Sequence, residues 1–333
     1  MSDLKLKIAF WNYDRTQALA DGTVKIDGVD ASFENTRIVS EIFERMIRQC
    51  EFDVSELGLT YYLRTLDFDN PPFIAIPVFP NRCFRHSAIY INKSSGIQKP
   101  QDLAGKTVGE FAMYGHDAGV WPKGILSDEY GVTPDQCRWV IGGLDWPLAP
   151  IDFIPRAQPA NVNVTWAPEG TDLGEMLETG AIDALISADV PKCVLNNSPQ
   201  VARLFPDYES VERNYYQQTG IFPIMHTVVV SKELLAQHPG LAQSLYQGFC
   251  DAKDVAIKQY KTGMIFNNMG IMVPWLSQLL AEDRFLLGDD WWPYGVEANR
   301  KEIDTFLRYH FEQGLSKRWL TCEDIFVPEL LGT

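Results

Sequence analysis

Residues 78–91 (VFPNRCFRHSAIYI) place Arg82, Arg85 and His86 within five positions, between two apolar runs. The chain around them is acidic: 29 Lys and Arg against 44 Asp and Glu give a net charge of −15. The runs at 73–79 and 87–91 read as buried strands, so the three cations fall at strand ends, where α/β proteins place ligands. A guanidinium is a planar fork that grips a carboxylate through two hydrogen bonds. The segment therefore suits a small anion bearing carboxylates. Equally, the arginines could pair with acids of the same chain, with His86 a satisfied strand-end histidine. Two further histidines are placed for proton transfer, which imidazole performs near neutral pH. His116 lies in FAMYGHD (111–117), a turn before a helix, where backbone donors and the helix dipole favour an anion. His226 lies in PIMHTVVV (223–230), an apolar run that fits either a structural or a site residue. Glu56 and Asp189 stand at ends of strand-like runs, and Asn12 and Tyr13 follow the first strand. All four could touch a ligand, and a helix-cap or ion-pair role accounts equally well for Glu56. No HxH, HxxxH or HxxE spacing marks a metal site, and no glycine-rich phosphate loop is present. His238 and His310 read as structural or surface residues.

These side chains need a scaffold, and the hydrophobic pattern supplies one. Strands are predicted at 5–10, 31–36, 52–57, 73–79 and 87–93, with helices at 14–20 (capped by Asp14), at 40–50 (capped by Ser40) and from 60. A connection rich in Gly, Ser and Pro follows residue 93. A second set then begins, with strands at 106–108, 138–141 and 184–187 and helices at 118–130 and 172–177. Residues 142–170 are proline-rich and read as loop. A strand at 224–230 returns, ended by Ser231, which caps a helix from Lys232. The rest is helical: 241–260, about 272–280, and 296–313. Alternation of strand and helix implies α/β architecture with mostly parallel sheets. The expected division is a first lobe of residues 1–93 plus 222–333 and an inserted second lobe of 94–221. The chain crosses between them twice, leaving an interdomain cleft as the ligand site.

The acidic balance argues against nucleic acid and anionic membrane as partners. No apolar run reaches bilayer length, and residues 1–11 lack the pattern of a signal peptide, so a cytoplasmic location is expected. The six cysteines are scattered, without a CxxC pair, and read as free thiols. Cys83, between Arg82 and Arg85, is expected to face inward. The segment WWPY (291–294) suits either buried packing or a subunit contact in a homo-oligomer.

Longer phrases carry a resemblance. QKPQDLAGKTVG (98–109) is similar to the entry into the second lobe of the periplasmic-binding-protein-like type II fold. FDVSELG (52–58), PVFPNRCFRHS (77–87), FPIMHTV (222–228) and PYGVEANR (293–300) together resemble the 4,5-dihydroxyphthalate decarboxylase family, from about residue 5 to 330. That resemblance implies a carboxy-lyase that converts 4,5-dihydroxyphthalate, an aromatic dicarboxylate, to protocatechuate and carbon dioxide in phthalate degradation. It would protonate a ring carbon without metal or other cofactor. On this reading Arg82 and Arg85 clamp a carboxylate. His86, His116 and His226 are the candidate proton donors. Glu56 orients a histidine or accepts a ring hydroxyl, and Asn12, Tyr13 and Asp189 contact substrate. The alternatives are a solute-binding protein for an aromatic carboxylate, or a decarboxylase of another hydroxylated aromatic acid. A pyrimidine-precursor synthase of the same fold would need a dense cysteine motif, which the scattered cysteines do not match.

Overall fold

A computed structural model describes residues 3–155 and 159–333. In chain order the elements are β1 (Leu4–Ala9), α1 (Asp14–Ala20), β2 (Val29–Glu34), α2 (Val39–Gln49), β3 (Val54–Gly58), α3 (Leu59–Thr65), β4 (Phe73–Ile76), β5 (Ile89–Asn92) and β6 (Thr107–Phe111). There follow α4 (Asp117–Tyr130), β7 (Arg138–Gly142), β8 (Asn163–Trp166), α5 (Leu173–Thr179), β9 (Ala184–Ile186), α6 (Lys192–Leu195), β10 (Val201–Arg203), α7 (Tyr208–Thr219) and β11 (His226–Ser231). The C-terminal helices are α8 (Lys232–Gln237), α9 (Leu241–Ile265), α10 (Leu276–Leu287), α11 (Arg300–Glu312) and α12 (Cys322–Ile325).

Two sheets form, one of five strands in the order β2-β1-β3-β11-β4 and one of six in the order β10-β5-β9-β6-β7-β8. Both are mixed rather than mostly parallel. In the first, β1 runs parallel to β2 and β3, while β11 lies antiparallel between β3 and β4. In the second, β6, β7, β8 and β9 are parallel, and β5 and β10 are antiparallel additions. The reversal follows from the crossings, because a strand that returns from the other lobe enters its sheet in the opposite sense. The central strands β3 and β11 are buried almost throughout, which fits the apolar run 228–230 of β11, while β3 buries Ser55 and Glu56 as well.

Strand β5, which a boundary at residue 93 assigns to the first lobe, is hydrogen-bonded to β9 and β10 in the six-stranded sheet. The two connecting segments lie side by side. Arg82 bridges Ile224 in antiparallel fashion, Cys83 N–H donates to the Pro223 carbonyl, and Met225 N–H donates to the Asn81 carbonyl. Arg82 and Arg85 therefore sit on a connection between the sheets.

Local details differ from the sequence reading. Helix α1 is capped by Tyr13, with Asp14 its first residue, and α2 is capped by Ile38, with Ser40 inside it. Ser231 does cap α8, accepting from Leu234 N–H. The loop-rich stretch contains β8, an edge strand with alternating exposure. Cys83 is exposed, and all six thiols are free. Trp292 packs on its own chain: its indole N–H donates to the Phe79 carbonyl at 2.9 Å, and Arg15 lies over its ring. Among the described residues, no helix is long and apolar enough to cross a membrane.

Candidate active site

Glu56 is fully buried within a strand that has no other ionisable residue. A carboxylate in such a place is costly unless donors replace its water. Three do. Trp11 N–H donates to Oε2 at 2.8 Å, and the Tyr13 hydroxyl donates to Oε1 at 2.7 Å. The His226 ring approaches Oε1 through Nδ1 at 2.6 Å. The fold dictates these partners. Trp11 and Tyr13 follow β1, the parallel neighbour of β3, and His226 opens β11, its antiparallel neighbour on the other side, facing Gly58 in register. Phe43 of α2 meets the imidazole edge-on at 5.2 Å. With Nδ1–H donating to Glu56, Nε2 has no hydrogen-bond partner among the described residues and is the nitrogen that could carry a proton to or from a ligand. The geometry is that of a histidine oriented by a carboxylate. Burial and the Glu56 charge together hold the Tyr13 phenol protonated.

The second sheet contributes the turn between β6 and α4. His116 is the N-cap of α4, and it is buried with neither ring nitrogen hydrogen-bonded. Desolvation, followed by the nearby positive charge of Arg85, drives its pKa well below that of a free imidazole, so it is neutral. Among the described residues its imidazole has no protein partner, which is uncommon for a buried polar group. The turn itself is tightly held. Glu110 accepts two bonds from Lys123, at 2.8 and 2.6 Å, and one from Gly115 N–H. Burial raises the Glu110 carboxyl and lowers the Lys123 ammonium to about 8, the direction desolvation imposes on each partner. Arg64 donates to the Tyr114 carbonyl at 2.7 Å. Ala112 adopts a left-handed backbone conformation, with φ of 66°, which is strained for a residue with a Cβ.

Asp117, the first residue of α4, was not singled out from the sequence. An acid in the first turn of a helix is so common that it carries no signal. Here it is buried, and Oδ1 accepts Thr60 N–H at 2.6 Å. Gly58 makes room for it, since a Cβ there would lie 2.3 Å from Oδ2. Thr60 in turn donates its hydroxyl to the Gly115 carbonyl and meets His310 Nε2 at 3.1 Å, which gives His310 a structural place. Desolvation raises the Asp117 carboxyl to about 6, partly opposed by His226. A carboxyl whose folded pKa exceeds its unfolded value of about 4 adds stability below pH 4, and that contribution disappears as the pH rises through 6. Asp117→Asn keeps the acceptor and removes the charge. It should therefore melt higher than the parent at pH 8, by on the order of 2–3 kcal/mol, and match it at pH 4. A pH-independent difference in thermal melts would refute this.

The two arginines have different surroundings. Arg82 donates to the Phe222 carbonyl at 3.0 Å, to the Pro293 carbonyl at 2.9 Å and to Asn299 Oδ1, and lies 3.8 Å from Glu302. Burial lowers its pKa to about 10. It ties a lobe connection to the C-terminal segment. Arg85 is also buried, but among the described residues its side chain makes a single hydrogen bond, from Nε to the Met225 sulfur at 3.2 Å. Among the described residues no carboxylate lies within salt-bridge distance of it. Its charge is felt by His116, Asp117, Asp189 and Glu212. Arg85 is thus the arginine whose terminal guanidinium nitrogens are unpaired among the described residues, whereas Arg82 commits both of its own.

The remaining sequence candidates are dispersed. His86 packs edge-on against Phe205 and Tyr215, and burial lowers it to about 4. Asp189 is exposed beyond β9, with its carboxyl raised by desolvation and lowered in part by Arg85. Asn12 is exposed and its side chain makes no hydrogen bond. A cavity of about 590 Å³ lies elsewhere, against Arg82, Tyr216, Trp291 and Arg300. Four carboxylates line it (Asp290, Glu297, Glu302 and Asp304), so the unpaired Arg85 and the free imidazole nitrogens are a better guide to an anionic ligand than volume is. Among the described residues, no group of three His, Cys, Asp or Glu side chains converges as a metal site would require.

The fold and the cleft between its sheets define a two-lobed α/β protein of the periplasmic-binding-protein type. Solved relatives share that architecture: the aliphatic sulphonate binding protein SsuA of Escherichia coli (TM-score 0.54, 12% identity, covering 98% of this chain and 92% of that one) and a putative sulfonate-binding SsuA of Methylobacillus flagellatus (TM-score 0.53, 12% identity, 100% and 94%). At such identity the likeness concerns the fold alone. No protein-family model matches the chain. Sequence relatives are closer. The 4,5-dihydroxyphthalate decarboxylase of Comamonas testosteroni is 38% identical over 331 residues, covering 99% of this chain and 98% of that protein. The enzyme of the same name from Pseudomonas putida is 37% identical over 217 residues, covering 65% and 83%. The chain belongs to the 4,5-dihydroxyphthalate decarboxylase family.

Proposed function

We propose that the chain decarboxylates 4,5-dihydroxyphthalate at the cleft where Glu56, His226, His116 and Arg85 meet. The observation that carries this reading is the buried Glu56–His226 pair, with a free Nε2, in the company of an unpaired arginine. The substrate bears two adjacent carboxylates, each para to a ring hydroxyl. Arg85 holds the retained carboxylate. His226, as imidazolium stabilised by Glu56, gives its Nε2 proton to the ring carbon carrying the other carboxylate. A ring π pair forms the new C–H bond while the para oxygen feeds electron density into the ring. The C–C bond then breaks, its electron pair restores aromaticity, and carbon dioxide leaves. The net change is one proton gained and one carbon dioxide lost, giving protocatechuate, and His226 regains its proton from solvent.

Neutral His116 suits the second half of the task. It can accept the proton of the para hydroxyl as that oxygen donates density, and return it when the ring rearomatises. Its burial also leaves the departing carboxylate poorly solvated, which favours loss of a neutral gas. Asp189 and Asn12 are proposed at the rim of the site and Tyr13 as a support for Glu56. His86 and Arg82 are proposed as structural residues. The six free thiols support a reducing, cytoplasmic location.

The test is turnover in deuterium oxide. Purified protein should convert 4,5-dihydroxyphthalate to protocatechuate and carbon dioxide, placing one deuterium on the carbon that lost its carboxylate, before and after exhaustive chelation. Absence of product, with thermal stabilisation by the same compound, would make the chain a binding protein or an enzyme for a different acid.

A further inference from the structure

Trp146, on the turn after β7, leaves 44% of its surface exposed, yet the turn that carries it is pinned. Leu173 N–H donates to the Gly143 carbonyl at 2.8 Å and Gly174 N–H to the Leu144 carbonyl at 2.6 Å, so the start of α5 holds the backbone. The Asp145 carboxylate accepts Lys192 N–H at the start of α6. A Cβ at Gly143 would lie 1.8 Å from the Trp146 carbonyl oxygen, so glycine is what lets the chain turn there. An indole fixed in this way meets a ligand without first losing the freedom of a mobile loop.

Two series of ring contacts tie the same segment to the proposed site. The Trp146 indole meets Phe111 edge-on at 6.4 Å, and Phe111 meets the His116 imidazole edge-on at 5.8 Å. Further along, Phe153 stacks on Tyr61 at 5.9 Å, Tyr61 packs on Phe43 at 5.3 Å, and Phe43 is the ring against His226. Asp152 pairs with Arg48 of α2 beside this contact. Residues 143–153 thus lead from the neighbourhood of His116 in one lobe to that of His226 in the other, along the border of the cleft. Asp189, raised first by desolvation, feels both Arg85 and Asp145, which places the turn near the unpaired arginine as well.

From this placement we infer that the Trp146 indole is the wall on which the flat ring of the substrate lies, on the face opposite His226. The inference rests on the decarboxylase reading and names the residue that sets its preference for an aromatic diacid. A proton reaches a ring carbon along its π orbital, perpendicular to the ring plane, so donor and wall have to lie on opposite faces. His226 belongs to the five-stranded sheet and Trp146 to the lobe of the six-stranded one, which supplies that opposition. As the carbon becomes tetrahedral, its new hydrogen points towards His226 and its carboxylate is pushed out of the plane towards the indole. The C–C bond then lies along the π system, its electron pair returns to the ring, and carbon dioxide leaves. An apolar wall denies hydrogen bonds to the carboxylate anion and takes none from the neutral gas. A flat ring can lie on the indole over its whole face, whereas a puckered ring cannot.

The experiment titrates the full chain, by calorimetry, with two diacids that lack the para hydroxyl and so do not react: planar phthalate and its saturated counterpart, cis-cyclohexane-1,2-dicarboxylate. The parent should bind phthalate more tightly. Trp146→Ala should weaken phthalate by roughly 10- to 100-fold, the range that alanine substitution gives for a flat ring stacked on an aromatic side chain, and leave the saturated diacid nearly unchanged. Trp146→Phe should keep most of the preference. It should also abolish the change in tryptophan fluorescence that phthalate produces in the parent, a readout that stands whether or not the alanine variant folds. On 4,5-dihydroxyphthalate the alanine variant should lose kcat as well as raise KM, because water then reaches the departing carboxylate. A parent that binds the two diacids alike or binds neither, equal losses for both in Trp146→Ala, an alanine variant with the parental kcat, or a fluorescence change that survives in Trp146→Phe would each overturn the inference. Failure of the decarboxylase reading looks different: the preference for phthalate and its dependence on Trp146 remain, and no protocatechuate forms.

Discussion

Replacing His226 with asparagine should lower the maximal rate on 4,5-dihydroxyphthalate by roughly 10²- to 10⁴-fold, the usual contribution of a positioned proton donor, while substrate affinity changes little. The expectation follows from the division of labour in the cluster. Nδ1 is committed to Glu56 at 2.6 Å, and Nε2 is the nitrogen left for chemistry. Asparagine can still donate to Glu56, so the buried carboxylate keeps a partner and the fold is spared. Glu56→Gln should fall on the same axis with a smaller loss, because it removes the negative charge that stabilises an imidazolium and leaves one neutral acceptor oxygen where Trp11 and Tyr13 now donate to two. His86→Phe is the control. It occupies an aromatic setting between Phe205 and Tyr215 and should leave the rate intact. Steady-state kinetics separate the outcomes. If the His226 variant keeps its rate, or if the His86 variant loses it, the proton donor has been misplaced.

Arg85→Met should raise KM by roughly 10- to 100-fold, the worth of about 1.5–3 kcal/mol for hydrogen bonds to a charged group. It should cost little stability, because Arg85 gives the protein only a contact with the Met225 sulfur. Arg85→Lys should recover part of the affinity, since it restores the charge without the two-pronged fork. Arg82→Met should behave in the opposite way. It would orphan the Phe222 carbonyl, leave the Pro293 carbonyl with Asn299 alone and leave Glu302 without its cation, so destabilisation of about 3–5 kcal/mol is expected. Its folded fraction should retain the parental KM. Isothermal titration with substrate, read beside thermal melts, distinguishes the two; a pair of variants that both lose affinity would restore the arginines to a shared clamp.

That contrast shows what sequence could and could not reveal. Arg82 and Arg85 stand three residues apart, and nothing in that spacing distinguishes them. The difference arises more than 200 residues later, where Pro293 and Asn299 take up one guanidinium and leave the other. Glu56 is readable as a strand-end residue and His226 as part of an apolar strand, but their contact depends on β11 entering beside β3, which local pattern does not encode. Strands with apolar runs on both faces, such as β3, β4 and β11, were legible because burial is written into every position. Strand β8 was not, because its alternating exposure sits among prolines. Helix α7 was also hidden: only Glu212 and Tyr215 of its twelve residues are buried, so it lacks an apolar stripe. Asp117 escaped notice because an ordinary helix-start acid and a buried site carboxylate look alike until Gly58 and Thr60 are seen around it.

The contact between Glu56 and His226 spans 170 positions of chain. Joining its ends carries a loop-closure entropy that only a compact intervening segment can reduce. The six-stranded sheet and its helices occupy most of that interval, so their collapse has to precede the union of carboxylate and imidazole. On the ribosome, Glu56 emerges long before its partner and waits as an unsatisfied acid in a half-made sheet. The acid–base pair consequently cannot close until the inserted sheet has been made and β11 has followed it. A nascent chain released before β11 has no acid–base pair to catalyse with.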